Sequence, residues 1–210
     1  MKLESNIRVL SNLNILVSIG LLVWWFLFPL LLPIGEAASD FQNLILHPNW
    51  VAVNLIGLIA CLMLCIGLPS IYIARWKEYK SYGFAGMLLA CAGLILFTAI
   101  QYYETFIWPA AAAINPKLLE TNGALVSGDT VVMAAMLASG LILATGYTMF
   151  GIATIKTGKY NQWPVWLFMI GAVVFGNGIA FSVRTVGIIL FCSGTIWLSN
   201  QIKLKKNEIN

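Results

Sequence analysis

Few side chains in this sequence could do chemistry, and Glu104 stands first among them. It lies in Phe97-Thr98-Ala99-Ile100-Gln101-Tyr102-Tyr103-Glu104-Thr105-Phe106-Ile107-Trp108-Pro109, at the end of a long apolar run. An ionisable group inside such a run is costly to keep, so each one is a candidate functional group. Thr98, Gln101 and Glu104/Thr105 recur at helical spacing and form one polar stripe on a helix. If it faces the inside of a bundle, that stripe lines a cavity where the carboxylate could bind a proton or a cation. The plainer reading leaves Glu104 about 6 Å from the helix end, where it simply reaches interfacial water.

His47, the sole histidine, stands in Leu46-His47-Pro48-Asn49-Trp50. Paired with Glu104 it could do acid–base work, whereas alone it is a polar residue in a turn built by Pro48 and Asn49. Asn54, Asp129, Asn177 and Arg184 complete the polar set. Asp129 precedes Thr130-Val131-Val132 and is placed to cap a helix. Arg184 could neutralise Glu104 or Asp129. Asn177, between Gly176 and Gly178, needs a partner across a helix interface or a bound ligand. The expected ligand-binding set is Glu104, Gln101, Asn54, Asn177 and Arg184, with His47 and Glu104 as the only catalytic candidates.

Cys61, Cys65, Cys91 and Cys192 all fall in apolar runs and read as small packing residues. Cys61 and Cys65 share a helix face, but their spacing is not that of a redox Cys-x-x-Cys pair. No metal or cofactor is expected. One histidine cannot give bis-histidine haem ligation, and neither a phosphate-binding loop nor a dinucleotide glycine fingerprint occurs. The Gly-x-Ser-x-Gly elbow, the His-Glu-x-x-His zinc motif and an arginine-rich voltage sensor are also missing from the sequence.

The elements that must position these residues follow from composition. The chain has 210 residues, 60% apolar and only 10% charged. Soluble domains carry roughly 25% charged residues, so the reading is an all-α polytopic integral membrane protein. Six spans are expected at about 12–34, 50–74, 83–108, 130–153, 163–182 and 185–202, each near the roughly 20 residues that cross a hydrocarbon core. Strands of a barrel would alternate apolar and polar residues, and these runs do not. The first run resembles a signal peptide in its flanking Lys2 and Arg8 and in Gly35 and Ala37. Its apolar stretch, 15–34, is longer than a signal core of 7–15 residues or so, which favours a retained helix.

Basic residues set the orientation. With the N-terminus inside, Lys2, Arg8, Arg75, Lys77, Lys80, Lys156, Lys159, Lys203, Lys205 and Lys206 are cytoplasmic, and only Lys117 and Arg184 lie outside. Both termini are then cytoplasmic, and the protein is a multi-pass protein of the cell membrane. Trp50, Trp76, Trp108 and Trp163 fall near span ends, where interfacial anchors belong. The turns at 75–82 and 155–162 are short and basic, while the outer segments 35–49 and 109–129 are longer and acidic. Residues 109–114 either continue the third helix past a proline or run along the interface.

Residues 58–90 align without gaps on 137–169, placing Gly67 on Gly146 and Lys77 and Lys80 on Lys156 and Lys159. This suggests a repeated hairpin, or only two similar basic turns. Gly86, Ala90 and Gly93, with Gly171, Gly176, Gly178, Gly187 and Gly194, supply small-residue faces for close helix packing.

Three functions fit these observations. The first is binding or transport of a small molecule or lipid through an outward-facing polar cavity. The second is a membrane-embedded enzyme using His47 and Glu104 on a lipid-like substrate. The third is a non-catalytic subunit whose small-residue faces contact a membrane-protein partner or a second copy. Nucleic acid is not an expected partner.

Overall fold

A computed structural model describes residues 2–34, 41–120, 123–126, 128–177 and 181–204. Gly35, Ala37, Gly178, Lys205 and Lys206 lie outside the described residues, and so does any statement on a cleavage site. The described chain is helical, with no strand. In order it runs α1 (Lys2–Leu31), α2 (Phe41–Ile45), α3 (Trp50–Gly67), α4 (Pro69–Ile73), α5 (Ser81–Tyr102), α6 (Trp108–Ile114), α7 (Thr130–Lys156), α8 (Gln162–Asn177) and α9 (Phe181–Leu204).

Among the described residues, five stretches are long and apolar enough to cross a membrane: Ser5–Leu31, Trp50–Ile73, Ser81–Ile114, Thr130–Lys156 and Phe181–Ile202. The span expected at 163–182 corresponds to α8, which has 16 described residues and so rises about 24 Å. Large apolar side chains such as Leu16, Ile59, Ile95, Leu141, Ile170 and Val186 point outward. Twelve polar residues among those described are buried, Asn14, Asn54, Gln101 and Ser199 among them. An apolar exterior over a partly polar interior is the distribution that a hydrocarbon solvent selects.

The long helices pack in chain order, α1 on α3, α3 on α5, α5 on α7, α7 on α8 and α8 on α9, and α9 returns to α1. The result is a ring. Its tightest pairs are α5–α7 and α8–α9, and the glycines explain why. A Cβ on Gly86, Gly93 or Gly146 would collide with the backbone of the facing helix in the α5–α7 pair. Gly171, Gly187 and Gly194 do the same between α8 and α9. In lipid, where apolar side chains gain nothing by leaving the solvent, such close backbone contact supplies the dispersion that holds helices together.

Local signals shape the ends. The Asp129 carboxylate accepts the N–H groups of Val131 and Val132 at 2.8 and 3.1 Å, capping α7. Gly158, at φ 64°, reverses the chain after α7. Pro69 interrupts the second span between α3 and α4. At this basic end the turns are tied to the bundle. Tyr160 donates to the Ile71 carbonyl at 3.0 Å. The Thr154 hydroxyl already donates to Phe150, so Tyr79 must donate to Thr154, at 2.9 Å. Burial pushes the Tyr79 phenol up, which keeps that donor proton in place.

On α1 a further polar face, Ser11, Asn14 and Ser18, matches no motif but is fully buried. The Asn14 amide donates to the Gly67 carbonyl at 3.0 Å and to Ser70 at 3.1 Å. The side-chain oxygen of Asn14 lies against Gly67. Gly67 and Gly146, aligned by the expected repeat, therefore both serve close approach, but to different neighbours.

The glycine contacts are testable by thermal unfolding in detergent. Gly146→Ala should destabilise the protein by about 1–3 kcal/mol, because the facing Leu89–Ala90 backbone cannot yield as a side chain could. Gly20→Ala, whose added carbon would meet only Ala60 at 3.9 Å, should be neutral or slightly stabilising. Equal unfolding temperatures for the two variants would contradict the close α5–α7 approach.

Candidate functional site

The third span does not stop at Pro109. Between α5 and α6 the helix widens into a π-turn over Tyr103–Ile107, so that the Trp108 N–H reaches the Tyr103 carbonyl, five residues back. The widening has a local cause. Pro109 has no N–H to give, and a wider turn takes its ring past the preceding carbonyls. The helix continues to Ile114, which decides between the two courses open for residues 109–114.

The carbonyl of Glu104 is stranded by this arrangement. The residue four positions on, Trp108, donates to Tyr103, and the residue five positions on is Pro109. The Trp50 indole N–H fills the gap from α3, at 3.1 Å. A second clasp lies one turn below. Gln101 donates to the Asn54 side-chain oxygen at 2.9 Å, and the Asn54 amide donates to the Trp50 carbonyl at 3.0 Å. Both carboxamides are buried, at 4% and 2% exposure. These polar links hold α3 to α5, a pair with far less contact than α5 has with α7.

Inside the ring, Glu104 opens on a cavity of about 270 Å³. Among the described residues its polar lining comprises Asn54, Gln101, Glu104 and Arg184, and its apolar lining includes Trp24, Trp25, Phe28, Trp50 and Phe181. The aromatic wall is built by stacking. Trp25 lies on Phe181 with centroids 4.6 Å apart, Phe28 meets Trp50 edge-on at 5.9 Å, and Trp50 stacks on Trp108 at 6.4 Å. The Trp25 N–H donates to Thr185 at 2.8 Å. With that donor and the Trp50 donor committed, these two indoles offer the cavity carbon surface and π-electrons.

Glu104 is half-buried, and none of the described residues donates a hydrogen bond to its carboxylate. Arg184, on the first turn of α9, is near enough to stabilise the carboxylate electrostatically. At the opposite end Phe97 and Phe175 form a floor shared with a second, wholly apolar hole of about 20 Å³, the size of one water. Beyond it Tyr147, Phe150, Phe168 and Phe191 interlock and fill the ring.

Of the residues singled out from the sequence, Glu104, Gln101, Asn54 and Arg184 come together around this cavity. Asn177 does not line it. Its amide donates to the Gly140 carbonyl at 3.4 Å and to the Val173 carbonyl at 3.0 Å, fastening α8 to α7. His47 is also outside the lining, in the turn before α3, where its ring accepts the Asn49 N–H at 3.2 Å. Thr98 and Thr105 bond back to carbonyls of their own helix. Trp50 and Trp108, placed by sequence at the lipid interface, are 3% and 6% exposed, Trp50 in the cavity wall and Trp108 stacked against it, whereas Trp76 and Trp163 are exposed. No signal short of the α3–α5 pairing itself could have moved Trp50 inside. All four cysteines are free thiols, and no group of three His, Cys, Asp or Glu side chains among the described residues is placed to hold a metal.

Compared with models of known families, with characterised proteins and with solved structures, the chain finds no match. What it does must be read from the cavity.

The Trp50–Glu104 link gives a sharp mutational test. Trp50→Phe keeps the ring but strands a buried carbonyl, at an expected cost of about 1–3 kcal/mol in thermal unfolding. Pro109→Ala restores a backbone N–H within reach, so the double variant should recover part of that loss. Additive losses would refute the account of the π-turn.

Proposed function

We propose that this protein crosses a cell membrane six times, with both termini on the cytoplasmic side, and binds a small molecule in an outward-facing cavity. The observation that carries the reading is the Glu104 carboxylate, unbonded by described residues, in an aromatic cavity of about 270 Å³. A charge kept in apolar surroundings without a hydrogen-bonded partner is hard to explain by stability alone, since burying it is costly. Pockets of this kind, mostly apolar with a few convergent polar groups, are the usual form of a ligand site.

Two features support binding over passage straight through the ring. The floor of Phe97 and Phe175 meets a hole the size of a single water, and Tyr147, Phe168 and Phe191 interlock beside it. Transport would need those rings to part. The acid–base enzyme reading loses support because His47 does not line the cavity that Glu104 lines.

Orientation rests on the basic turns. Lys77 and Lys159 belong to the end opposite the cavity, where Lys159 approaches Glu78 at 3.9 Å. That exposed pair contributes little to stability, but it marks the two turns as neighbours. The crossing that makes six is α8, fifth in chain order and packed between α7 and α9.

Thiol labelling of intact cells tests the reading. Met136 lines the cavity, and Lys77 lies in a basic turn. Met136→Cys should react with a membrane-impermeant methanethiosulfonate from outside, and Lys77→Cys only after the cells are permeabilised. The unmodified chain, whose thiols are buried or half-buried, is the control. Labelling of Lys77→Cys from outside would invert the topology. Failure of Met136→Cys to react from outside would remove the outward cavity and favour a non-binding subunit.

A further inference from the structure

The ligand class can be taken further, on the reading that this cavity is a binding site. The geometry points to a small zwitterion, a methylated ammonium joined to an anionic oxygen group, held with its cation between Glu104 and the indoles and its anion toward Arg184. Such a group could be a free solute or the headgroup of a choline-type lipid.

Charge comes first. Among the described residues, the cavity lining carries one carboxylate and one guanidinium, Glu104 and Arg184. A ligand with a single charge would face one of them favourably and the other with like-charge repulsion, in surroundings that screen poorly. A ligand carrying both signs satisfies both. Arg184 need not give up another acceptor to take part, because a guanidinium has five N–H donors.

The wall selects the kind of cation. Trp24, Trp25, Trp50 and Phe28 line the same cavity as Glu104, Trp50 bonded to the Glu104 carbonyl and Trp25 to Thr185 beside Arg184. Aromatic faces attract cations, and quaternary ammonium groups are commonly held in aromatic cages. A primary ammonium wants three acceptors, and several here are already engaged. The Asn54 side-chain oxygen accepts from Gln101, and the Glu104 carbonyl accepts from Trp50. A methylated ammonium donates no hydrogen bond and needs only charge and π-surface, which this wall supplies.

Size is consistent. A cavity of about 270 Å³ lies just below the range of roughly 300–1,000 Å³ usual for small-molecule pockets, so it fits a compact headgroup and not a bulky amphiphile.

The test is a calorimetric titration of the full chain in dodecyl maltoside, with tryptophan fluorescence as a second readout because three tryptophans line the cavity. The probes are glycine betaine, phosphocholine, dihexanoyl phosphatidylcholine, tetramethylammonium, trimethylacetate, glycine and the neutral 3,3-dimethylbutan-1-ol. At least one methylated zwitterion should bind about tenfold or more tighter than either singly charged probe, than glycine and than the alcohol. Glu104→Gln should weaken that zwitterion about tenfold and leave the alcohol unchanged. Arg184→Gln should weaken the zwitterion and strengthen tetramethylammonium, a reversal that general misfolding would not produce. Binding by the phosphatidylcholine alone assigns the site to a lipid headgroup, and binding by betaine or phosphocholine assigns it to a solute. Equal binding of the alcohol, or of glycine, overturns the zwitterion class and leaves the cavity as a binding site. No binding by any probe overturns the inference, while the labelling of Met136→Cys decides separately whether the outward cavity survives.

Discussion

One carbonyl oxygen organises the half of this protein that holds the cavity. Pro109 cannot donate to the turn before it, and the π-turn directs the Trp108 N–H to Tyr103, so Glu104 is left with an acceptor and no backbone donor. In water such a group is solvated without penalty. Within a membrane span it must find a donor inside the protein. The Trp50 indole meets that demand, and in doing so it fixes α3 beside α5, draws a tryptophan out of the lipid interface and sets the wall of the cavity. The Gln101–Asn54–Trp50 bonds repeat the same solution one turn deeper.

The cavity exists because packing around the ring is uneven. Glycines on α5, α7, α8 and α9 bring two helix pairs to backbone contact. The α3–α5 side has no such glycine seam, and bulky aromatic and amide side chains span the wider gap. Where close-packed pairs meet a side held by large rings, the interior cannot be filled at uniform density. The space left over lies next to the residues whose hydrogen bonds replaced glycine contacts. Toward the basic end, Tyr147, Phe150, Phe168 and Phe191 fill the ring and close it.

The charges in the cavity make sense as a set. A lone carboxylate among indoles would be held at high cost, and a guanidinium from the first turn of α9 reduces that cost without hydrogen-bonding every oxygen. A site with both signs and carbon-rich walls, with the Trp25 and Trp50 N–H groups engaged and the buried Trp24 N–H without an acceptor among the described residues, discriminates by charge arrangement more than by hydrogen-bond pattern. Asn177 and His47 have the chemistry of site residues, yet the first spends its amide on an α7–α8 contact and the second on its own turn.

Sequence by itself determined what depends on composition and on local period. The apolar runs required membrane-spanning helices, and the basic turns stand together at one end of the bundle. Asp129 before Thr130 marked a helix start, and the 98–101–104 spacing placed Gln101 and Glu104 on one face. The glycines forecast close seams. Each of these is a property of one segment in contact with water, lipid or its own backbone. Tertiary structure alone decided which segment meets which: that Trp50 and Trp108 turn inward, that Asn14 spends its amide on Gly67 and Ser70, that Asn177 stays out of the cavity, and that Pro109 is absorbed by a π-turn and does not end the helix. An indole or an amide has the same local pattern whether it faces lipid headgroups or a neighbouring carbonyl. For Trp50, Asn14 and Asn177 the difference is a partner tens of residues away, because the acceptor that makes burial favourable is supplied only once the helices have packed.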